Sequence, residues 1–520
     1  MSVIYLAHVT VYDPDTASEV VLRYCSGTGF VTGTNSAYRP PGVAAHVYYE
    51  PRIKQPASMR RDCFSKGTTG GESTIGYGEL VLVNSDGGLD AFLDYGLDGR
   101  EIEIIRGQMD PWQLPTWTTV LLGTMEQPRI SISEVAIRLR DRQAELDKPI
   151  QPNKFAGSNV LPAGLEGVDG DLKGKPKPKA YGKVYNVAPP CVNTSKLAYQ
   201  VNDGAVTDIT AVYDRGVALT KGADYATSAL MLAAVPAAGA FITCFAEGYF
   251  MLGSSPAGQI TADVTQGAAA SNRTVAQVVK SILTGPGGVS SADISASDIT
   301  DLDTANSAEI GLWVDAEMNI RSALDMLTNS IGAWWGVDRT GVFRTKRLEA
   351  PTGTPVATLT GVEIIRLDRV ASNDAGAGIP AWGSKLKYKR HWTTQDNDLA
   401  GSVTNARRAE IREEWRTVVA EDASVKTAHL LAQELEFETL LVDATASATE
   451  NTRRLDLYKT RRDRFEVRAG LDDVLASSID LGEVIEIAYP RFGLDAGRSF
   501  VVIGMQPDLR TGIVDLTVWG

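Results

Sequence analysis

Apolar and polar positions follow two different periods along this chain. Through residues 3–150 the period is two: Ile102 and Ile104 alternate with Glu101 and Glu103, Ile130 and Ile132 alternate with serines, and Ala136-Ile137-Arg138-Leu139-Arg140 alternates again. Such spacing puts one row of side chains in a core and the next in water, so β-strands are predicted here. Between them NSDGGLDAFLDYGLDGR, residues 84–100, sets Asp-Gly turns on both sides of a short apolar segment. The β pattern returns over residues 181–255. There Val184, Leu197-Tyr199-Val201 and Val217-Leu219 alternate, and Asn202-Asp203-Gly204 and Asp214-Arg215-Gly216 supply turns.

The period then changes. Val275, Val278, Val279 and Ile282 fall on one helical face after Thr274, a good cap, and Gly285-Pro286-Gly287 stops the helix. Ile320, Leu324, Leu327 and Ile331 mark a second helix leading into Ala333-Trp334-Trp335-Gly336-Val337, a turn, and Val342-Phe343-Arg344. The two tryptophans are expected to cover the sheet beneath that helix. Beyond Ala381 comes a strand at 385–389, then helices lined by Leu430, Leu431 and Leu435 and by Ala448, Leu455 and Tyr458. Strands at 465–468, 484–488, 500–504 and 513–519 close the chain as the meander of a small barrel.

Two stretches have no period. Residues 149–179 are rich in proline and glycine and end in KGKPKPK, residues 173–179, so a solvated linker is expected that trypsin would cut first. Residues 229–246 are uncharged over nearly the length of a membrane span, but Pro236-Ala237-Ala238-Gly239 interrupts them. A buried hairpin is expected instead of a span. The chain therefore divides into a β-rich unit 1–150, a linker 151–180, a β-domain 181–255, an α/β unit 256–380 and a unit 381–520 of helices and a closing barrel. The fold class is α+β, multidomain and β-rich, with small barrels or sandwiches around an α/β insert.

Composition narrows function mainly by exclusion. A net charge of -13 disfavours a general nucleic-acid binder, which needs clustered cations. Cys25, Cys63, Cys191 and Cys244 are far apart, without metal or redox spacing, and are expected to be free thiols. The first residues, MSVIYLAHVTVYDP, lack the basic and long apolar regions of a secretory signal, which predicts accumulation in the cytoplasm where the chain is made. Residues 170–175, GDLKGK, imitate a phosphate loop but have three residues between glycines and Pro176 where a hydroxyl belongs. Residues 301–306 imitate a calcium loop but lack its later ligands, with Leu312 in place of the bidentate Glu. Residues 253–257, GSSPA, lack the final glycine of a nucleophile elbow. His8, His46, His391 and His429 form no metal-binding pair in sequence. A pair of glycosidase carboxylates is harder to exclude, but the aspartates cluster in Asp-Gly turns. No catalytic, cofactor or metal site is expected.

Three stretches carry a resemblance. GELVLVNSDGGLD with DGREIEIIRG (78–107), YGKVYNVAPP through YQVNDG to VYDRGVALTKGADY (181–225), and RFGLDAGRSFVVIG with the final LTVWG (491–520) resemble, in order, segments of tail proteins of long-tailed bacteriophages. The resemblance implies a structural virion protein: the baseplate hub that joins tail tube to tail tip and lines the genome exit channel. It further implies a homotrimer whose two small barrels per chain match a six-fold tube. Its partners would be tube and distal-tail proteins, the tape-measure protein and tail-tip fibres, with DNA passing through an acidic or neutral lumen. Alternatives are a distal-tail ring protein or a receptor-binding adhesin touching glycans with Trp334 and Trp335 or Tyr48 and Tyr49, and, third, a wall-degrading tail hydrolase. Neither heptads nor internal repeats of an adhesin occur.

Overall fold

In the computed structural model, which describes residues 2–109, 114–372, 374–476 and 478–520, the alternating N-terminal stretch forms one eight-stranded antiparallel sheet. Its strands run in the order Ser18–Cys25, Ser2–Asp13, Glu101–Met109, Thr116–Met125, Glu134–Arg140, Tyr77–Val83 and Ile53–Gln55, with Arg129–Ile130 paired to Glu134–Arg140. Register follows the alternation: Val9 faces Ile102 and Ala7 faces Ile104, and all four are 0% exposed. Each such burial contributes about 1.5–3 kcal/mol for a full-sized aliphatic side chain. The strand expected over 130–133 stops at Ile130. Ser131 N–H donates to the Glu134 carbonyl and Ser131 Oγ accepts from Glu134 N–H, which closes a turn and leaves Ile132 94% exposed.

The four closing strands form as predicted, at Arg464–Gly470, Val484–Tyr489, Leu494–Asp508 and Ile513–Trp519. Their sheet also takes in Ala357–Thr360 and Ile364–Val370, which the sequence pattern places with the preceding unit 256–380. Leu359 and Ile364 bury themselves in the same core as Phe465 and Phe500, a long-range contact that no local period records. A seventh strand, Arg61–Asp62, arrives from the N-terminal part and pairs with Gly504 and Met505. Cys63 and Phe64 follow it into the interior. One apolar core thus runs continuously from Leu80 and Ile102 of the first sheet to Phe465, Phe500 and Trp519 of the last. The whole is a β-rich, multidomain α+β fold of curled sheets.

Between these sheets in sequence lie two five-stranded sheets built from residues 179–266 and 311–314. Three helices, Val275–Thr284, Ala296–Ala305 and Ile320–Asn329, pack beside the hairpin Ala333–Val337 and Phe343–Arg347. Thr274 caps the first helix by accepting from Gln277 N–H at 3.3 Å, and Gly285 ends it. Strand alternation sends the adjacent tryptophans to opposite sides. Trp334 enters the core shared by the two large sheets, and Trp335 enters the helical core, where its indole N–H donates to Asp325 Oδ1 at 2.7 Å.

Three expectations are corrected. Residues 229–246 are not a hairpin: Ser228–Ala233 is a helix capped by Thr227, followed by strand Ala240–Cys244. Only Met231 of that helix is buried, and the alanine and leucine content favours helix where no strand partner demands otherwise. Leu430 and Leu431 lie in a turn, 90% and 73% exposed, and Leu435 belongs to strand Glu434–Glu438. Adjacent leucines define no helical face, and parallel pairing with Gly383–Tyr388 decides the matter. The 149–179 stretch is packed. Phe155 and Leu172 bury against Val192, Ile242 and Met251, while Phe155 N–H donates to Lys175 O, Gly174 N–H to Phe155 O and Lys177 N–H to Asn153 O. Two apolar side chains suffice there because the neighbouring sheet supplies the rest of the core.

Candidate functional site

The residues that carry the tail-protein resemblance build turns and junctions. Asn84 is 1% exposed; its amide oxygen accepts from Leu89 N–H at 2.7 Å and its amide nitrogen donates to Asp90 at 2.9 Å, which holds the NSDGGLD turn closed. Gly182 has φ +73°, and a Cβ there would stand 1.9 Å from the Ile310 carbonyl oxygen. Asn186, at φ 52° and fully buried, donates to Thr393 O at 2.6 Å and accepts from Thr261 at 2.9 Å and Arg407 at 3.2 Å. It therefore ties the β-domain to residues 393–407, more than two hundred positions away. Asn202 accepts from Ala180 N–H at 2.9 Å and donates to the Gly204 and Ala205 carbonyls, fixing the YQVNDG turn.

The chemistry-bearing residues are dispersed. His8 joins Glu103 at 3.0 Å and the Tyr49 hydroxyl at 2.6 Å inside the first sheet. His46 sits in a turn at φ 61°, and His429 ends the helix Ser424–Ala428. His391 is 1% exposed, and burial together with Arg416, Arg407 and Lys389 lowers its pKa to about 4 against the pull of Glu410. Cys25, Cys63 and Cys244 are buried and Cys191 is half-buried; all four are free, and burial raises each thiol. Among the described residues no group of three or more His, Cys, Asp or Glu could hold a metal ion, and no helix is long and apolar enough to cross a membrane. Leu172 of the GDLKGK stretch is in the 155–251 core. Asp301 and Asp303 lie on the helix Ala296–Ala305, where Asp303 accepts from Gln277 at 2.6 Å. Both tryptophans of the supposed platform are buried, as is Tyr49; Tyr48 alone of the four is exposed, at 58%.

One interior concentration of charge was not legible in sequence. Glu450, on the helix Ala444–Tyr458 and 2% exposed, accepts from Arg453 at 2.7 Å and Arg454 at 2.9 Å. Burial alone would raise its carboxyl, but the two guanidiniums outweigh burial and hold its pKa below the ordinary value. Arg453 also donates to the Leu348 and Ile331 carbonyls and Arg454 to that of Asn329, so these cations saturate the end of the helix Ile320–Asn329 and the hairpin after it. Every part of the network is engaged in joining elements. The only sequence signal is the i, i+3, i+4 spacing of Glu450, Arg453 and Arg454, which is shared by countless exposed helices.

Beside this network opens a cleft of about 450 Å³. One wall is the strand Glu434–Glu438 with Gln433, the floor is Tyr458, Leu457 and Trp519, and the far side is the loop segments at 69–71 and 378–381. Phe437 stacks on Tyr458 with ring centroids 6.2 Å apart, and Tyr458 donates to the Thr69 carbonyl at 3.0 Å. The floor is apolar, and Arg462 is held over the Trp519 ring at 5.0 Å. Of the lining residues, Thr69 donates its hydroxyl to Asp374 Oδ2 at 2.9 Å and its backbone N–H to Asp374 Oδ1 at 2.7 Å, so that this carboxylate pins the 69–71 loop.

No family model matches the chain, and no curated protein matches it in sequence. Solved structures do. The chain is similar to a tail protein from Neisseria meningitidis MC58 (11% identity, 99% of this chain and 96% of that one, TM-score 0.43). It is similar to the 43 kDa tail protein of prophage MuSo2 from Shewanella oneidensis (10% identity, 91% and 93% covered, TM-score 0.40). It is also similar to a chain in the virion of a native gene transfer agent particle (15% identity, 71% and 91% covered, TM-score 0.42). What this chain resembles, in sequence segments and in neighbours among solved structures, is a tail protein of phages and phage-derived particles.

Proposed function

We propose that this chain is a structural virion protein of a long-tailed phage or phage-derived particle, made in the host cytoplasm and built into the tail tip as the baseplate hub. The resemblance of three sequence segments, in order, to segments of phage tail proteins supports the reading. The observation that carries it further is the arrangement of the two large sheets: one chain presents two curled sheets, from residues 2–140 and 357–519, joined through a single core. A chain with two such units offers two contacts to a tube of higher symmetry, so three chains meet six tube subunits. In this reading the sheets of residues 2–140 and 357–519 alternate around the ring, and the region from Tyr181 to Phe343 projects from it. The lumen passes DNA without binding it, in keeping with the net charge of -13. Host attachment would fall to fibres below, since the tryptophan pair is buried. No hydrolytic role is proposed.

Cryo-electron microscopy of the tail tip tests this directly. Three copies per ring, with the N- and C-terminal sheets at equal radius, are expected. Six copies, or sheets at unequal radius, would overturn the hub and favour a distal-tail ring protein. Turnover of peptidoglycan or capsular polysaccharide by the purified chain, lost on changing one Asp or Glu, would contradict the structural role.

A further inference from the structure

Among the described residues the strand Glu434–Glu438 pairs on one side only, in parallel with Gly383–Tyr388. Gln433 O accepts from Trp382 N–H and Thr439 N–H donates to Lys387 O, so the odd-numbered residues of this strand turn their backbone groups inward to the sheet. Those of Glu434, Glu436 and Glu438 point the other way. Among the described residues none of these three makes a backbone bond to another segment. Six consecutive residues, 433–438, border the 450 Å³ cleft. Side chains alternate across a strand, so six in a row can do so only if the backbone edge itself forms the rim.

The two faces of this edge differ. Toward the cleft, Leu435 and Phe437 are half-buried over Tyr458 and Leu457. On the opposite face Glu434 pairs with Lys385, and Glu436 and Glu438 both pair with Lys387, which leaves three carboxylates against two ammonium groups. We propose that the free edge of strand Glu434–Glu438 and the cleft beside it form a docking site for an extended segment of a partner protein with alternating apolar and basic side chains, which adds to the sheet as a further strand. Its backbone would satisfy the outward amides and carbonyls of Glu434, Glu436 and Glu438. Its apolar residues would enter the cleft over Tyr458 and Trp519, and its basic residues would lie beside the surplus carboxylate. Exposed edges of this kind are otherwise liable to unspecific pairing. The proposal stands apart from the hub assignment, since it rests on the edge and cleft alone.

The test uses the full chain and a short synthetic peptide alternating valine and lysine, labelled for fluorescence polarisation. Saturable binding that weakens as salt rises is expected, with at least about tenfold loss when the peptide's edge-facing amides are N-methylated. Glu436→Pro removes an outward N–H while sparing the ladder to Gly383–Tyr388, and Glu436→Gln keeps it. The proline variant should lose at least about tenfold in affinity and the glutamine variant less than about threefold. Ile379→Arg, at a 37% exposed position on the cleft's far side, should weaken binding without touching the strand, which guards against misfolding of the proline variant. No binding by the folded chain, or binding indifferent to both Glu436→Pro and Ile379→Arg, would overturn the proposal. So would an oligomer of the chain alone that excludes the peptide and dissociates in Glu436→Pro, because the occupant would then be a second copy.

Discussion

His391 is a base held neutral by its surroundings. Its folded pKa of about 4 lies below the ordinary 6.5, so protonation favours the unfolded chain. Stability from this residue is complete above pH 6.5 and falls as pH drops from there toward 4. The loss by pH 5 should be about 2 kcal/mol. His391→Phe should flatten the stability difference between pH 7 and 5 by that amount in urea melts, and an unchanged slope would show that the ring does not titrate in this way. Gly182 is constrained by geometry instead of charge. With φ +73° and the Ile310 oxygen in the place of a Cβ, Gly182→Ala cannot be accommodated without moving a strand. A loss of more than about 3 kcal/mol is expected in denaturant melts. Gly182 lies in a segment whose sequence resemblance is plain and His391 stacks on Tyr185 of that segment, yet their physical roles are not legible there: a glycine in YGKV and a lone histidine show nothing until Ile310 and Arg407 arrive.

At the scale of elements, long periodic segments were legible. The helix Val275–Thr284 starts where its Thr274 cap predicts and Ile320–Asn329 starts at the first residue of its apolar period, because helical hydrogen bonds are local and Thr274 and Asn319 satisfy the first free amides. Short or aperiodic segments were not, since their conformation depends on neighbours. The 149–179 stretch makes the point testable. Its backbone amides at Gly174, Lys175 and Lys177 are hydrogen-bonded to the packed stretch around Phe155, whereas Arg129 belongs to a strand of two residues, paired with Ala136, that leads into a turn, and its side chain is 82% exposed. Limited trypsin treatment should therefore cut at Arg129 before residues 173–179, the reverse of what composition alone predicts. First cleavage within KGKPKPK would mean that these hydrogen bonds open readily in solution.

For the whole molecule, the decisive contact is the passage of Arg61–Asp62 into the C-terminal sheet. Arg61, 7% exposed, donates to the Val337 carbonyl at 3.3 Å and pairs with Asp480 at 2.9 Å, so a strand from the N-terminal part is fixed in the last sheet while the two large sheets share one core. Strands 2–140 and 357–519 should consequently unfold in one transition. Native-state hydrogen exchange checks this: amides of Ile104 and Phe465 should share one opening free energy, and Arg61→Ala, which strands Asp480, should lower both together by about 3 kcal/mol. Separate openings would make them independent domains. The amino-acid sequence by itself determined the β-rich class, two of the three helices of the insert, the closing meander, the segments of phage-tail resemblance and the lack of a catalytic motif, because each rests on periodicity or on neighbouring residues. Only the tertiary structure decided that residues 357–370 belong to the last sheet, that Trp334 and Trp335 serve two different cores, and that Glu450 knots three elements together. It alone left the Glu434–Glu438 edge open beside a cleft. Pairings across hundreds of residues are chosen by burial and backbone satisfaction in three dimensions, and no local pattern encodes them.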